Sequence, residues 1–433
     1  MVDKNLFLYD LSVVAIFKDE APYLKEWLNY HLAAGVDHFY LYDNGSTDET
    51  REILKPYIEA RLVDAFYVPG EVAQMPVYND AVRKFRFATR YMAFLDCDEF
   101  IFPKSLQNIV EVVDEVLSKD ERAAGLAINW QVFGSNEQEK ADYSKGVLER
   151  FTRRAPSDWF EPPTKTSFPV GNIHVKTIAN PRLIRYIVNP HYAYYFDGVF
   201  AVNSDGGRVT HWGNEPVLAD KIVVNHYLTK SKEEFQTKLE RGREGVDSQQ
   251  LAYASVDMSV FDKNNRNDVE DDDILTYWQI RDEQYTPPKA FDRENYYKIL
   301  EEVLLPASRS DTPAEFFEGK LETFLTCRAL ASLLRRSFPK DNRGAFWEES
   351  ALRAIARTQT SKISLTEVLM LLNSLPPILA LPYPIVEDIL KNSMNFVRQL
   401  IGDLRKNLRW EAFVEMSNYL DLLAAFGVKK SRQ

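Results

Sequence analysis

The N-terminal part of the chain alternates short apolar strands with amphipathic helices, and each strand stops on a polar turn carrying carboxylates. Leu11 to Phe17 is an apolar, β-branched run suited to a buried parallel strand. Ala21 to Ala34 follows with Leu24, Trp27, Leu28 and Leu32 at helical spacing, Pro22 in the first turn and Gly35 where a helix stops. A second strand, His38 to Tyr42, runs into the tight turn Asp43-Asn44-Gly45-Ser46-Thr47-Asp48, where Ser46 and Glu49 fit a capping box for a helix reaching about Tyr57. A strand over Leu62 to Val68, a helix over about Tyr78 to Arg90 and a strand over Tyr91 to Leu95 complete the series. Repeated units of this size predict an α/β fold with a parallel sheet and right-handed crossovers.

In such sheets ligands bind beyond the carboxyl ends of the strands. Those ends are Phe17-Lys18-Asp19-Glu20, Tyr42-Asp43-Asn44-Gly45 and Leu95-Asp96-Cys97-Asp98-Glu99. Asp96 and Asp98 alternate at a strand end, so both can turn toward one hard cation, and a magnesium or manganese ion there would bridge diphosphate oxygens. A lone D-x-D also arises by chance as two solvated loop aspartates. It gains meaning only from its surroundings.

At 433 residues the chain exceeds one ordinary core, so a second domain or a helical appendage is expected. The net charge of −11 argues against nucleic-acid binding. Two cysteines, Cys97 and Cys327, form neither a disulfide framework nor a zinc site, and Met1 to Asp10 does not read as a secretory signal, so a cytoplasmic location is expected. The longest uncharged run, Val368 to Val386, is interrupted by Asn373, Pro376, Pro377, Pro382 and Pro384 and reads as two helix ends and a loop. Peripheral attachment of the C-terminal half to the inner face of a membrane stays compatible with the sequence.

Further strands are expected over Leu126 to Phe133, His174 to Ile178 and Lys221 to Tyr227, with an irregular stretch from Pro156 to Asn172 and a helix begun by Ser231 and Glu234 as a capping box. Asp262 to Asp273 is acidic and Pro287-Pro288 marks a boundary, after which helical patterns dominate. The resulting division is 1–250 for the α/β domain, 251–287 for an acidic linker and 288–433 for a helical region, with a stripe of Leu321, Phe324, Leu325, Ala329 and Leu333 beside Arg335 and Arg336.

Together, Val13-Val14-Ala15-Ile16-Phe17-Lys18-Asp19-Glu20, the Asp43 to Asp48 turn and Phe94-Leu95-Asp96-Cys97-Asp98-Glu99-Phe100 resemble the Rossmann-like, nucleotide-sugar-binding core of GT-A glycosyltransferases, closest to the family-2-like and family-92-like groups. Gln74 with Tyr78-Asn79, Trp130 with Phe133-Gly134-Ser135, Arg150-Phe151, His174-Val175-Lys176 with Pro181, and Asn225-His226-Tyr227 followed by Lys230-Ser231 extend the resemblance over about Ser12 to Arg243. It implies a nucleotide-sugar site at Phe17, Asp19, Glu20, Asp43, Asn44, Gln74, Asn79, Asp96 and Lys176, with Asp19 and Asp43 on the nucleoside. It also implies a Mn2+ or Mg2+ ion held by Asp96, Asp98 and His226, since a neutral imidazole suits manganese. His226 as a buried, hydrogen-bonded strand histidine is the plain alternative.

The activity implied is transfer of a hexose, from UDP-hexose in preference, to a glycan or lipid-linked acceptor in surface polysaccharide synthesis. An inverting enzyme needs a carboxylate base. The E-D and Q-x-x-R-W segments that supply and flank it in family 2 have no counterpart here, and Asp158 and Glu161, beside Trp159 and Phe160, are the candidates. A sugar nucleotidyltransferase fits less well, because Phe17-Lys18-Asp19-Glu20 replaces the Gly-rich basic loop expected after the first strand. A non-catalytic carbohydrate-binding or scaffold module is the remaining alternative.

Overall fold

The computed structural model describes residues 7–70, 74–162, 169–196, 198–241, 257–287, 293–309, 321–338 and 340–356. They fall into two compact units, one within Tyr9–Lys289 and the other drawn chiefly from Ala290–Gln433.

The first unit is built on a mixed sheet. In chain order it runs β1 (Tyr9–Phe17), α1 (Ala21–Ala33), β2 (His38–Asp43), α2 (Thr50–Glu59), β3 (Val63–Tyr67), α3 (Gln74–Phe85), β4 (Thr89–Phe94), β5 (Glu99–Pro103), α4 (Ile109–Leu117), β6 (Ala123–Val132) and α5 (Val147–Arg150). The short strands β7 (Arg153–Arg154), β8 (Phe160–Glu161) and β9 (Val170–Gly171) precede β10 (Val175–Ala179), β11 (Ile184–Ile187), β12 (Ala193–Tyr195), β13 (Phe200–Val202), β14 (Arg208–Val209) and β15 (Ile222–His226). Then come α6 (Lys232–Arg241), α7 (Met258–Asn264), β16 (Val269–Glu270) and α8 (Asp273–Glu283).

The main path of the sheet is β14-β13-β6-β10-β4-β1-β2-β3, with β15 joining β5 to β6. Strands β3, β2, β1 and β4 are parallel, and β10 is antiparallel to both β4 and β6. This is the α/β arrangement expected from the sequence.

Burial explains why β1 reads as a continuous apolar run. Leu11, Val13, Ala15 and Phe17 face the core under α1 and α4, while Val14 and Ile16 face the core under α3. A strand covered on both faces has no place for polar alternation.

Three local expectations are corrected. The helix expected over Tyr78 to Arg90 is α3, which begins at Gln74 and stops at Phe85. The sheet claims Thr89, whose Oγ1 accepts from Ser12 Oγ at 3.0 Å, so β4 starts early. The Ser46–Glu49 capping box does not form, because Ser46 Oγ accepts the Asp19 N–H at 2.9 Å and α2 begins only at Thr50.

The third concerns the acidic stretch read as a linker. Where described, from residue 257 on, it is part of the first unit: Ile274 and Tyr277 of α8 lie in the main core, and Arg154 pairs with Asp271 across β7 and β16 at 2.5 Å. Its Asn265 and Asn267 side chains accept from the Ser135 and Asn136 N–H groups at 2.8 Å each. Gly134 permits that approach, since a Cβ there would lie 2.3 Å from the Arg266 carbonyl oxygen. The Ser231–Glu234 capping box does form, with Glu234 accepting from Ser231 N at 3.0 Å and Ser231 Oγ from Glu234 N at 3.3 Å.

The second unit contains α9 (Arg293–Arg309), α10 (Leu321–Ser337) and α11 (Asn342–Ala356), which pack on one another. Phe324 and Leu325 of the expected stripe are fully buried, and Arg335 pairs with Glu348 at 2.9 Å. Among the described residues no helix is long and apolar enough to cross a membrane. The Val368 to Val386 run lies outside the described residues.

Candidate functional site

The chain lays β2 and β3 on one side of β1 and β4 on the other, so the strand order reverses between β1 and β4. A crevice opens at the carboxyl ends of strands where such a reversal occurs. Asp19 follows β1, Asp43 ends β2, and Asp96 and Asp98 follow β4. Sheet geometry therefore gathers carboxylates that the sequence scatters.

Much of their hydrogen bonding shapes the crevice itself. Asp19 Oδ1 accepts from Thr47 N at 2.6 Å, and Asp43 Oδ1 accepts from Ser46 N at 2.7 Å, which fixes the turn around Gly45 at φ 86°. Among the described residues the second oxygen of each takes no hydrogen bond, leaving an acceptor for a ligand. The Asn44 amide donates to Val68 O at 2.8 Å and Gly70 O at 2.9 Å, so its role is to hold the turn.

The Phe17 ring is buried in the core, and only its carbonyl, accepting from Asn44 N at 2.8 Å, reaches the turn. Glu20 accepts from Arg241 at 2.8 Å. Asn79 is tied to Ile187, donating to its carbonyl at 2.7 Å and accepting from its N–H at 3.0 Å, which pins α3 to β11.

Asp96 and Asp98 point into different ion pairs. Gln74 donates to Asp96 Oδ1 at 2.7 Å, and the Lys176 ammonium reaches Asp96 Oδ2 at 2.9 Å and Glu99 Oε2 at 3.1 Å. Burial works against a charged Lys176, but Asp96 and Glu99 outweigh it and raise its pKa. Burial pushes Glu99 up to about 7 even with Lys176 opposing. Asp98 meets Lys238 at 2.6 Å and His226 Nε2 at 3.6 Å. Burial would raise its pKa, yet Lys238 and His226 hold it well below the usual carboxylate range.

Asp98 and His226 thus adjoin each other, while Asp96 is drawn toward Gln74 and Lys176. Carboxylate oxygens with an imidazole nitrogen are a donor set that manganese accepts. Among the described residues His226 Nδ1 is buried without a hydrogen-bond partner. Among the described residues no group of three or more His, Cys, Asp or Glu side chains is arranged around one metal position.

His226 also belongs to an aromatic cluster. Its ring lies 4.2 Å from that of Trp130, which stacks on His174 at 4.8 Å and meets His191 at 5.0 Å. Burial holds His174 down to about 4 and His191 well below its ordinary value. Both stay neutral beside Lys176.

Asp158 is exposed and Glu161 half-buried on β8. Among the described residues neither shares a hydrogen bond or ion pair with Asp96, Asp98 or His226. Trp159 is buried and the Arg266 guanidinium lies over its ring at 5.0 Å, so that ring is not offered to a sugar, while Phe160 is half-buried.

Sequence reasoning gave no part to Lys238 and no role to Arg241, and it quoted Glu99 and Lys230 within the resemblance without assigning either a role. Lys238 lies one helical turn beyond the Glu234 cap, a spacing that puts it on the cap's face of α6, but the sequence does not show what that face meets. The face lines an open pocket together with Asp19, Glu20 and Tyr23.

The sequence model of "Glycosyltransferase family 92" matches residues 12–281. A glycosyltransferase family 92 protein of Ricinus communis is 25% identical over 235 residues, 54% of this chain and 38% of that protein. A galactan beta-1,4-galactosyltransferase of Arabidopsis thaliana, GALS2, is 33% identical over 100 residues, 21% of this chain and 19% of its own length. The chain therefore spans well under half of the curated relatives it matches. Among solved structures, S. aureus TarS 1-349 in complex with UDP-GlcNAc aligns over 96% of this chain and 91% of its own, at 15% identity and a TM-score of 0.29.

Proposed function

The chain belongs to glycosyltransferase family 92, and from that premise we propose that it transfers a hexose from a nucleotide diphosphate sugar, UDP-hexose in preference, to a glycan or lipid-linked acceptor in surface polysaccharide synthesis. The observation that carries this reading is the gathering of Asp19, Asp43, Asp96 and Asp98 at the strand ends beside the reversal of strand order, with His226 against Asp98. The galactosyltransferase names of several relatives support a hexose as the group moved.

In this reading the free oxygens of Asp19 and Asp43 receive ribose hydroxyls or a base N–H. Asp96, Asp98 and His226 would hold a Mn2+ or Mg2+ ion, which when bound neutralises charge on the donor diphosphate. Lys176 holds the Asp96 carboxylate in place; Gln74 fixes its rotamer. Lys238 performs the same service for Asp98.

Thermal shifts with manganese and a panel of UDP, GDP and ADP test the reading, because a ligand that binds only the folded state raises the midpoint in proportion to its affinity. One nucleoside diphosphate should stabilise the protein, and more strongly with manganese. No shift with any of them, with or without the metal, would overturn the donor assignment.

A further inference from the structure

Lys230 stands just before α6 with φ at 48°, in the left-handed region that residues with a Cβ rarely adopt. The residue is only 4% exposed, yet it lines the pocket together with Asp19, Glu20 and Lys238. Its ammonium lies over the Tyr23 ring at 4.1 Å, and among the described residues it makes no hydrogen bond or ion pair. Backbone strain persists where surrounding structure holds it for a purpose, and such positions gather at ligand sites.

The pocket holds three cations, and two are engaged. Lys238 is paired with Asp98 at 2.6 Å, and Arg241 donates to Asp19 O at 2.9 Å and to Glu20 at 2.8 Å. Lys230 is the ammonium left to meet an incoming anion. Its charge acts on Asp98 without forming an ion pair with it, and a bound phosphate oxygen would give it the direct, charge-assisted hydrogen bond it lacks.

We propose that Lys230 is the anchor for the diphosphate of a nucleoside diphosphate donor, read from its buried ammonium in the pocket between Asp19 and α6. The proposal rests on the donor reading above and adds to it the group that distinguishes a diphosphate from a monophosphate. The left-handed backbone turns the chain from β15 into α6 at a residue that lines the pocket.

The test titrates the full chain, in manganese, with UDP and UMP and with GDP and GMP, for wild type and for Lys230→Met, Lys230→Gly and Lys230→Arg. The glycine variant relieves the backbone strain, so it guards against a folding defect in the methionine variant. Wild type should prefer one diphosphate over its monophosphate. Met and Gly should weaken diphosphate binding at least tenfold with monophosphate binding unchanged, and Arg should stay within about threefold of wild type.

If Met and Gly keep the diphosphate preference, Lys230 is not the anchor while the donor reading stands. Equal loss for diphosphate and monophosphate would make Lys230 structural and overturn the proposal. If wild type binds none of these four nucleotides and not ADP either, the donor reading fails and the anchor with it.

Discussion

Lys176 is closed off from water with Asp96 at 2.9 Å and Glu99 at 3.1 Å, so each charge in the group depends on the others. Breaking a buried ion pair from one side costs about 3 to 5 kcal/mol, because the remaining charge is stranded. Urea unfolding of Lys176→Met should show a loss of that size, and adding Glu99→Gln should recover part of it. Absence of any recovery would mean that Glu99 carries no charge against Lys176. Asp98→Ala acts differently. The Lys238 side chain it leaves behind is 33% exposed and rehydrates, so the fold should survive while transfer falls about a hundredfold or more. Near wild-type turnover in that variant would remove Asp98 from the site. Alternation at a strand end made Asp96 and Asp98 legible in the sequence; their counter-ions were not, since Lys176 and Lys238 stand 80 and 140 positions away.

Helix α1 contributes a titration that belongs to its packing. His31 Nδ1 faces the Trp27 carbonyl at 2.9 Å, and its Nε2 accepts from Ile101 N at 3.3 Å, so the ring is held as one neutral tautomer. Burial lowers its pKa from 6.5 to about 4. The unfolded chain therefore takes the proton first as pH falls, and the stability present above pH 6.5 drains away toward pH 4 at up to about 1.4 kcal/mol per unit. Comparing urea midpoints at pH 7 and pH 5, His31→Asn should lose less on acidification than wild type; an equal loss would refute the assignment. His174, also lowered to about 4 by burial, keeps part of the slope in both proteins. Elements such as β1, α1 and β2 were readable because their apolar period and their punctuation, Pro22 and Gly35, agree. The end of α3 and the cap of α2 were not, because sheet pairing at Thr89 and the Asp19 N–H decide them from another part of the chain.

Across the whole molecule, the carboxylates and His226 all lie within the unit Tyr9–Lys289. A chain truncated after Lys289 should then unfold in one cooperative transition and bind the same nucleoside diphosphate within about threefold of the full chain. Loss of binding in a folded truncation would assign part of the donor site to the C-terminal residues. The pocket also carries a consequence for how the protein is made. Its walls are joined by Tyr23 to Glu234, 211 positions apart, and by Asp19 to Arg241, 222 apart. Such long closures form late and slowly. During synthesis, β1 to β4 emerge with their acidic turns already in place, but no cation of α6 has yet been translated to answer them. For that interval the Asp19 and Glu20 side of the pocket stands without the α6 cations that face it in the finished fold, so neither the pocket nor its ligand can help the early chain fold. The donor can stabilise only a protein that has already grown past Arg241.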